Sequence, residues 1–184
     1  MDSDLSYPDI VLARLRYRYC PMCTAPLIRR ATGEDGIPRV TCPRCGWVHY
    51  PTNITSVVVL VEHQGGIVAI LPPYVPPETP AALPAGHAEY GESPEQAAVR
   101  EAYEETGLAV EIDRCLGWWY EHTQEYPGPN VRFMFVAHSV GGTLRPSDEG
   151  GVAVFPLQEF PPISPERSGS YRTLQMYFAE PEKK

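Results

Sequence analysis

No stretch of the 184-residue chain approaches the ~20 consecutive apolar residues that a bilayer-spanning helix needs, although 43% of its residues are apolar. Positive charge is also scarce: 15 Lys and Arg stand against 23 Asp and Glu, a formal net charge of −8. No Lys or Arg occurs between Arg44 and Arg100. A chain so short of cations binds polyanions poorly, so neither nucleic acid nor an anionic membrane is an expected partner. The deficit is uneven. Residues 1–45 hold 7 Lys and Arg against 5 Asp and Glu, and the remainder holds 8 against 18. The acidity of the larger part is compatible with cation capture at a phosphate-processing site. The N-terminus, Met1-Asp2-Ser3-Asp4, is acidic where a secretory leader would be basic and then apolar. Cysteine is limited to 5 residues, four of them in two close pairs. That pattern suggests metal rather than disulfides, hence a reducing compartment and a cytoplasmic protein. Length and apolar content suffice for one full core plus a small satellite.

What the chain does have is a crowded acidic stretch, Gly86 to Leu108. It reads as a loop followed by a helix. Ser93 is a natural N-cap, Pro94 suits the first helical position, and Gln96 completes an S-x-x-Q capping box. Gly107 supplies the left-handed residue that ends the helix. Glu101, Glu104 and Glu105 fall on one face, because positions three and four apart are neighbours. Val99, Ala102, Tyr103 and Thr106 are then expected to pack on a sheet. An isolated E-x-x-E-E is ordinarily a solvated face with an Arg100–Glu104 pair. Here three carboxylates repel one another and Arg100 can neutralise only one, which calls for a divalent cation. Oxygen-only ligands favour Mg2+ or Mn2+ over zinc. The loop adds Glu92, and Gly86 and Gly91 let the backbone approach a metal or phosphate closely.

Cys20-Pro21-Met22-Cys23 and Cys42-Pro43-Arg44-Cys45 form C-x2-C-x18-C-x2-C, the spacing of a four-thiolate zinc site. Four thiolates leave no open position, so this Zn2+ would be structural. Gly33, Asp35-Gly36 and Pro38 mark a hairpin between the two pairs. Ahead of them Arg14, Arg16 and Arg18 alternate with Tyr17 and Tyr19. Such alternation can line a nucleic-acid groove; a strand leading into the metal module is the preferred reading. The expected division is residues 1–49 for the N-terminal segment and ribbon, and 50–184 for the main domain.

Strands are expected at Ile54–Val61, Ile67–Leu71, Leu108–Cys115, Trp118–His122 and Val131–Val140, with a closing helix from Ser170 to Glu180 that turns Leu174, Tyr177 and Phe178 inward. The proline-rich run from Pro72 to Pro80 is a stiff surface loop, and its Tyr74 could stack on a base or pack on its own prolines. Trp118, Trp119 and Tyr120 divide between a core face and a flat-ligand face, or serve a core and a dimer contact. Arg132 is the cation expected to point at a phosphate. Glu121-His122 and Tyr126-Pro127-Gly128-Pro129 suggest a mobile loop over the cleft. His49 and His63 carry no expected role, and Cys115 is expected as a small buried thiol.

The stretch from Gly86 to Leu108 matches G-x5-E-x7-R-E-U-x-E-E-x-G-U at all nine fixed positions, with Ala102 and Leu108 as the aliphatic U residues. That pattern resembles the signature of the Nudix hydrolases. The resemblance implies an α/β (α+β) fold, an α/β/α sandwich on a mixed sheet, here preceded by a zinc ribbon. It also implies hydrolysis of nucleoside diphosphates linked to a further group. Glu101, Glu104 and Glu105, with the Ala85 carbonyl, would hold Mg2+ or Mn2+, Glu92 would ligate metal or support the helix, and Arg100 would orient a glutamate. Glu104 and Glu105 are the candidates for the base. Many relatives carry an acidic residue about four positions before a phenylalanine equivalent to Phe155. Gly151 stands there, leaving Asp148 or Glu149 as substitutes. NADH diphosphatases with such a ribbon carry S-Q-P-W-P-F-P, which is absent, and the chain looks closer to the FAD/ADP-ribose diphosphatase branch, releasing AMP and a phosphorylated product. NADH or nucleoside triphosphate diphosphatase activity are the alternatives, and a nucleotide-sensing regulator with a nucleic-acid-binding ribbon is the alternative of another class. Family habit points to a homodimer.

Overall fold

The computed structural model describes residues 17–32, 34, 36–50, 52–73, 81–121 and 129–179. Its contacts separate into two compact units, Met1–Asn53 with His122–Pro129, and Ile54–Glu121 with Asn130–Lys184. In the first, β1 (Ile28–Ala31) pairs antiparallel with β2 (Pro38–Thr41), Arg30 facing Arg39. On the other side of β2, Thr41 bridges to Val48 and the His49 N–H donates to the Val40 carbonyl at 2.8 Å, so residues 47–50 make a third row. Both cysteine pairs sit on tight turns closed by Thr24 N–H to Cys20 O at 2.8 Å and Gly46 N–H to Cys42 O at 3.0 Å. The residue that closes each turn has a positive φ: Gly46 at 78° and Thr24 at 60°.

The second unit is a mixed sheet between two helices. Its hub is β3 (Ile54–His63), which pairs parallel with β7 (Asn130–Gly142). Strand order is β6-β7-β3-β4-β8, where β4 is Gly66–Leu71, β6 Leu108–Glu121 and β8 Gly151–Pro156. The β-branched run in β3 exists because both of its faces are covered. Val57, Val59 and Val61 pack with Ala97, Ala98 and Ala102 of helix α1 (Pro94–Thr106). Val58 and Leu60 point the other way, into a cluster joined by Leu174 and Tyr177 of helix α2 (Ser168–Ala179).

One departure from regular pairing builds the site. β3 and β4 stay in register only at Glu62↔Ile67 and His63↔Gly66. Further along, β4 turns to Ala82, and the short β5 (Ala85–His87) takes over the edge of β3, with Val57 opposite Gly86. β5 is thus wedged into the sheet immediately before α1.

Helix α1 starts and stops where expected: the Ser93–Gln96 capping box is present in both directions, and Gly107 closes the end at φ 77° with its N–H on the Tyr103 carbonyl. Its inward face is not the expected one. Val99 and Tyr103 are exposed, while Ala97, Ala98, Glu101, Ala102, Glu105 and Thr106 are buried. Two further expectations are revised. The segments 108–115 and 118–121 form one strand, β6, carried past Gly117 by register shifts on its pairing with β7; β-bulges absorb extra residues without ending a strand. In α2, Leu174 and Tyr177 do pack inward, but Phe178 is exposed and Gly169, Ser170 and Thr173 form the buried stripe. No helix among the described residues is long and apolar enough to cross a membrane.

The caps give a direct test. Ser93→Ala removes one half of the box and should cost about 1 kcal/mol, or about 3 °C in Tm for a chain of this size. Gly107→Ala should cost more, because a Cβ there meets the Thr143 carbonyl as well as a left-handed backbone. Thermal unfolding followed by circular dichroism checks the ordering.

Candidate active site and metal centres

The wedge of β5 against α1 decides where the carboxylates go. Glu101 and Glu105 lie one turn apart on the buried face of α1, each only 9% exposed. Glu105 accepts a hydrogen bond from the Ala85 N–H at 3.3 Å. A Cβ at Gly86 would overlap the Glu101 carboxylate and force that side chain out of its place.

Arg100 organises the other acids. Its Nε and Nη2 donate to the two oxygens of Glu92 at 2.8 and 2.9 Å, and Nη1 donates to Glu101 at 2.8 Å and Glu104 at 2.9 Å. Nη2 also donates to the His87 carbonyl at 2.8 Å, tying α1 to the end of β5. The expectation that Arg100 neutralises one carboxylate is thus corrected: one planar guanidinium serves three. Hydrogen bonds from Arg100, then from the Glu89 N–H, hold Glu92 down at about 2. Burial raises Glu101, with Arg100 opposing the rise. Glu105 has no cationic partner among the described residues. Burial pushes it up to about 8; the Ala85 N–H opposes that, and the charges of Glu101, Glu149 and Glu104 add to it.

A cavity of about 410 Å³ opens beside β5, lined by Ser56, Val58, Gly86, Glu121, Arg132 and Ser168 among others. Arg132 Nε donates to Ser56 Oγ at 3.1 Å, Nη1 donates to Ser168 Oγ at 3.2 Å, and Nη2 lies 3.4 Å from Glu121. Arg132 does line a cleft next to the carboxylates, but its charge is already shared with Glu121. Ser56, Glu166, Arg167 and Ser168 were missed from sequence, while Glu121, expected in a loop over the cleft, is the last residue of β6. Ser56 alone left a trace, as a hydroxyl inside an apolar β-branched run.

Other expectations fare differently. Trp118 is 65% exposed and Trp119 and Tyr120 are also exposed, so none enters the core; Trp119 carries the Arg172 guanidinium 3.5 Å from its ring centre. Neither Trp118 nor Tyr120 lines the cavity. Asp148 and Glu149 sit in an exposed turn before β8, and Glu149 is the one whose charge reaches Glu105. Cys115 is exposed, not buried, with its thiol 3.4 Å from the Gly117 carbonyl, because it lies on the outward side of a bulged strand. His63 bonds Ser139 at 2.7 Å, and His49 stacks on Trp47 and lies tilted against Tyr17. Tyr74, Arg14, Arg16, His122 and Tyr126-Pro127-Gly128 lie outside the described residues.

In the first unit the Sγ atoms of Cys20, Cys23, Cys42 and Cys45 all lie within 4.8 Å of one another. Among the described residues this is the group of three or more such donors that converges so closely; the carboxylates stay wider apart, drawn to Arg100 and Ala85. Backbone N–H groups of Met22 and Cys45 point at Cys20 and Cys42 Sγ, both at 3.4 Å. Burial opposes ionisation of Cys42, but the Cys45 and Arg44 amides and the neighbouring thiols outweigh it and bring it to about 6. The Trp47 amide favours a Cys45 thiolate, yet burial and three crowded thiols push it up to about 12. The four can ionise together only around a cation, which fits a tetrahedral metal.

The pH dependence of stability separates the two kinds of carboxylate. Glu105 rises from an ordinary 4.5 to about 8 on folding, so its favourable contribution is full below about 4.5 and is lost as pH rises through about 8. In buffer free of Mg2+ and Mn2+, Glu105→Gln should therefore be more stable than the parent at about pH 9, by up to roughly 5 kcal/mol, and equal to it near pH 4. Glu92 has the opposite sign: its contribution is present above 4.5 and lost as pH falls through about 2. Urea unfolding across pH measures both.

Residues 51–177 match the family model of the NUDIX domain, and residues 18–51 match the "Nudix N-terminal" zinc ribbon. The NAD-capped RNA hydrolase NudC of Chromobacterium violaceum is 34% identical over 72% of this chain and 46% of its own length. The protein of the same name from Stutzerimonas stutzeri is 30% identical over 89% and 57%. The ADP-ribose pyrophosphatase of Methanocaldococcus jannaschii is 36% identical over 40% and 44%. The chain thus spans about half the length of the curated relatives it matches. Among solved structures, a NUDIX hydrolase from Nitrosomonas europaea superposes with a TM-score of 0.69 at 25% identity, covering 89% of this chain and 94% of that one. Signature helix, wedge strand, mixed sheet and ribbon agree with these matches, and the chain belongs to the Nudix hydrolase family.

Proposed function

We propose that this chain hydrolyses the diphosphate linkage of a nucleoside diphosphate derivative, FAD or ADP-ribose by preference, to AMP and a phosphorylated product. The observation that carries this reading is the pair of buried glutamates on one turn of α1, of which Glu105 lacks any cationic partner among the described residues. A buried, uncompensated carboxylate is costly, and a hard cation held by oxygen donors removes the cost. Glu101, Glu104 and Glu105, with the Ala85 carbonyl, would hold Mg2+ or Mn2+. When bound, such ions offset charge on the phosphoryl oxygens and acidify an attacking water.

The chain's own residues do the rest. Arg100 fixes Glu101 and Glu104 in one orientation and anchors Glu92, whose two oxygens are both taken up in supporting the helix. Glu104 and Glu105 are the candidates to receive the water's proton. The cavity beside β5 would take the remainder of the substrate, Ser56 and Ser168 orienting Arg132 toward it. Trp118 and Tyr120 offer exposed ring faces for a base or for a second copy in a homodimer. The four cysteines would hold a structural Zn2+, in keeping with free thiols and a cytoplasmic setting. A second reading, an NAD-type dinucleotide, is favoured by the names of the NudC relatives.

A panel of FAD, ADP-ribose, NADH, NAD-capped RNA, diadenosine polyphosphates and dNTPs with Mg2+ or Mn2+ tests the substrate class; turnover of dNTPs alone would exclude it. Glu104→Gln and Glu105→Gln should each lower kcat by roughly 10²–10⁴-fold with nucleotide binding retained. A regulator would bind and have no turnover to lose. Cys42→Ser should abolish stoichiometric zinc, read by elemental analysis, and unfold the ribbon's N–H to S network, while Mg2+-dependent hydrolysis by the main domain persists.

A further inference from the structure

The four ribbon cysteines are not equivalent. Cys20 and Cys42 are buried, Cys23 is half-buried and Cys45 is exposed. Each buried sulfur is held by the backbone of its own turn, Cys20 by the Met22 N–H and Cys42 by the Cys45 N–H, both at 3.4 Å. Contacts between sulfurs run across the two turns. Cys20 Sγ lies 3.6 Å from Cys45 Sγ, and Cys23 Sγ lies 3.5 Å from Cys42 Sγ. Each contact joins a buried sulfur to one that solvent reaches.

Four cysteines can form two disulfides in three ways. Joining Cys20 to Cys42 would match the two buried sulfurs and leave the two accessible ones to each other. Joining neighbours within a turn would draw every sulfur away from the partner it already touches. The crossing pairs need neither change. They tie together residues 25 and 19 apart, so they fasten one turn to the other as a shared metal does, and the hairpin between them survives loss of the ion. An accessible thiol meets an oxidant first, and a second thiol at contact distance captures the sulfenic acid before it oxidises further.

We propose that the ribbon is a reversible oxidation site for hydroperoxides, in which Cys23 and Cys45 are attacked and Cys42 and Cys20 resolve them. In the first step the accessible sulfur gives an electron pair to hydrogen peroxide, the O–O bond breaks, and a sulfenic acid and water form. In the second the buried sulfur attacks that sulfenic sulfur, the S–S bond forms, and the hydroxyl leaves as water with the resolving thiol's proton. Each pair loses two electrons and two protons to one peroxide, and a dithiol reductant returns both thiols. Release of metal rests on the zinc reading proposed above; the pairing rests on the sulfur positions alone.

The whole chain, loaded with zinc and treated with hydrogen peroxide, tests both. Zinc is followed with a chromogenic chelator, and linkages are mapped by mass spectrometry after alkylation and tryptic digestion without reduction. Trypsin cuts after Arg44, between Cys42 and Cys45, and fragmentation at Pro21 separates Cys20 from Cys23. Two disulfides should appear for each zinc released, Cys20 to Cys45 and Cys23 to Cys42, with Cys115 joined to neither. Dithiothreitol and Zn2+ together should restore four alkylatable ribbon thiols and the bound metal. Cys45→Ser should lose the first linkage, keep the second and leave Cys20 as a thiol; the map of the parent chain stands by itself if this variant does not fold. Linkages within a turn, a Cys20–Cys42 linkage, or sulfinic acid at Cys23 and Cys45 in place of disulfides would overturn the proposal. A chain that carries no zinc before oxidation yet gives the crossing map would count only against the zinc reading and would support the pairing.

Discussion

The structure depends on placing two carboxylates where a helix meets its own sheet. Ala97, Ala98 and Ala102 bring α1 close to β3, and the same face carries Glu101 and Glu105. Close packing of small side chains therefore drags acids out of water. The fold accepts this because β5 interposes a backbone N–H at Ala85 and an empty Cα at Gly86, and because Arg100 gathers Glu92, Glu101 and Glu104 onto one cation. Among the described residues Glu105 is left with no cation beside it, and the chemistry proposed above starts from that deficit.

The partial unzipping of β3 from β4 is the architectural counterpart. A sheet paired throughout would have no room for β5, and without β5 the helix would meet a plain strand edge. β3 keeps residues in clusters on both faces, and the strand that parts from it is β4, which stays paired with β8 along its length. The cavity lined by Arg132 and Ser168 also has Ala85 and Gly86 of β5 in its wall, and the same two residues meet Glu105 and Glu101.

Local features were legible in the sequence and distant ones were not. The ends of α1 followed from Ser93, Gln96 and Gly107 because capping involves neighbours only. The four cysteines followed from spacing, and the glutamates from a nine-position pattern. The inward face of α1 was misjudged because apolarity was taken as the guide to burial, whereas Val99 and Tyr103 stay out and two acids go in. The cavity was invisible because its residues come from positions 56, 121, 132 and 166–170, brought together by a parallel β3–β7 pairing no local signal encodes. Gly117 looked like the end of a strand; it is a point where β6 slips register and continues.

That slippage has a consequence of its own. β6 lies at the end of the strand order, 14 residues long, with no further strand beside it among the described residues. An unbroken ribbon of that length invites a foreign strand to zip alongside it and seed fibrils. Irregularities between Ala109 and Val110, Ile112 and Arg114, and Cys115 and Gly117 divide it into pieces too short and too coiled to act as a template. The tryptophans exposed along it can then meet partners through their rings without the main chain being recruited into runaway polymerisation.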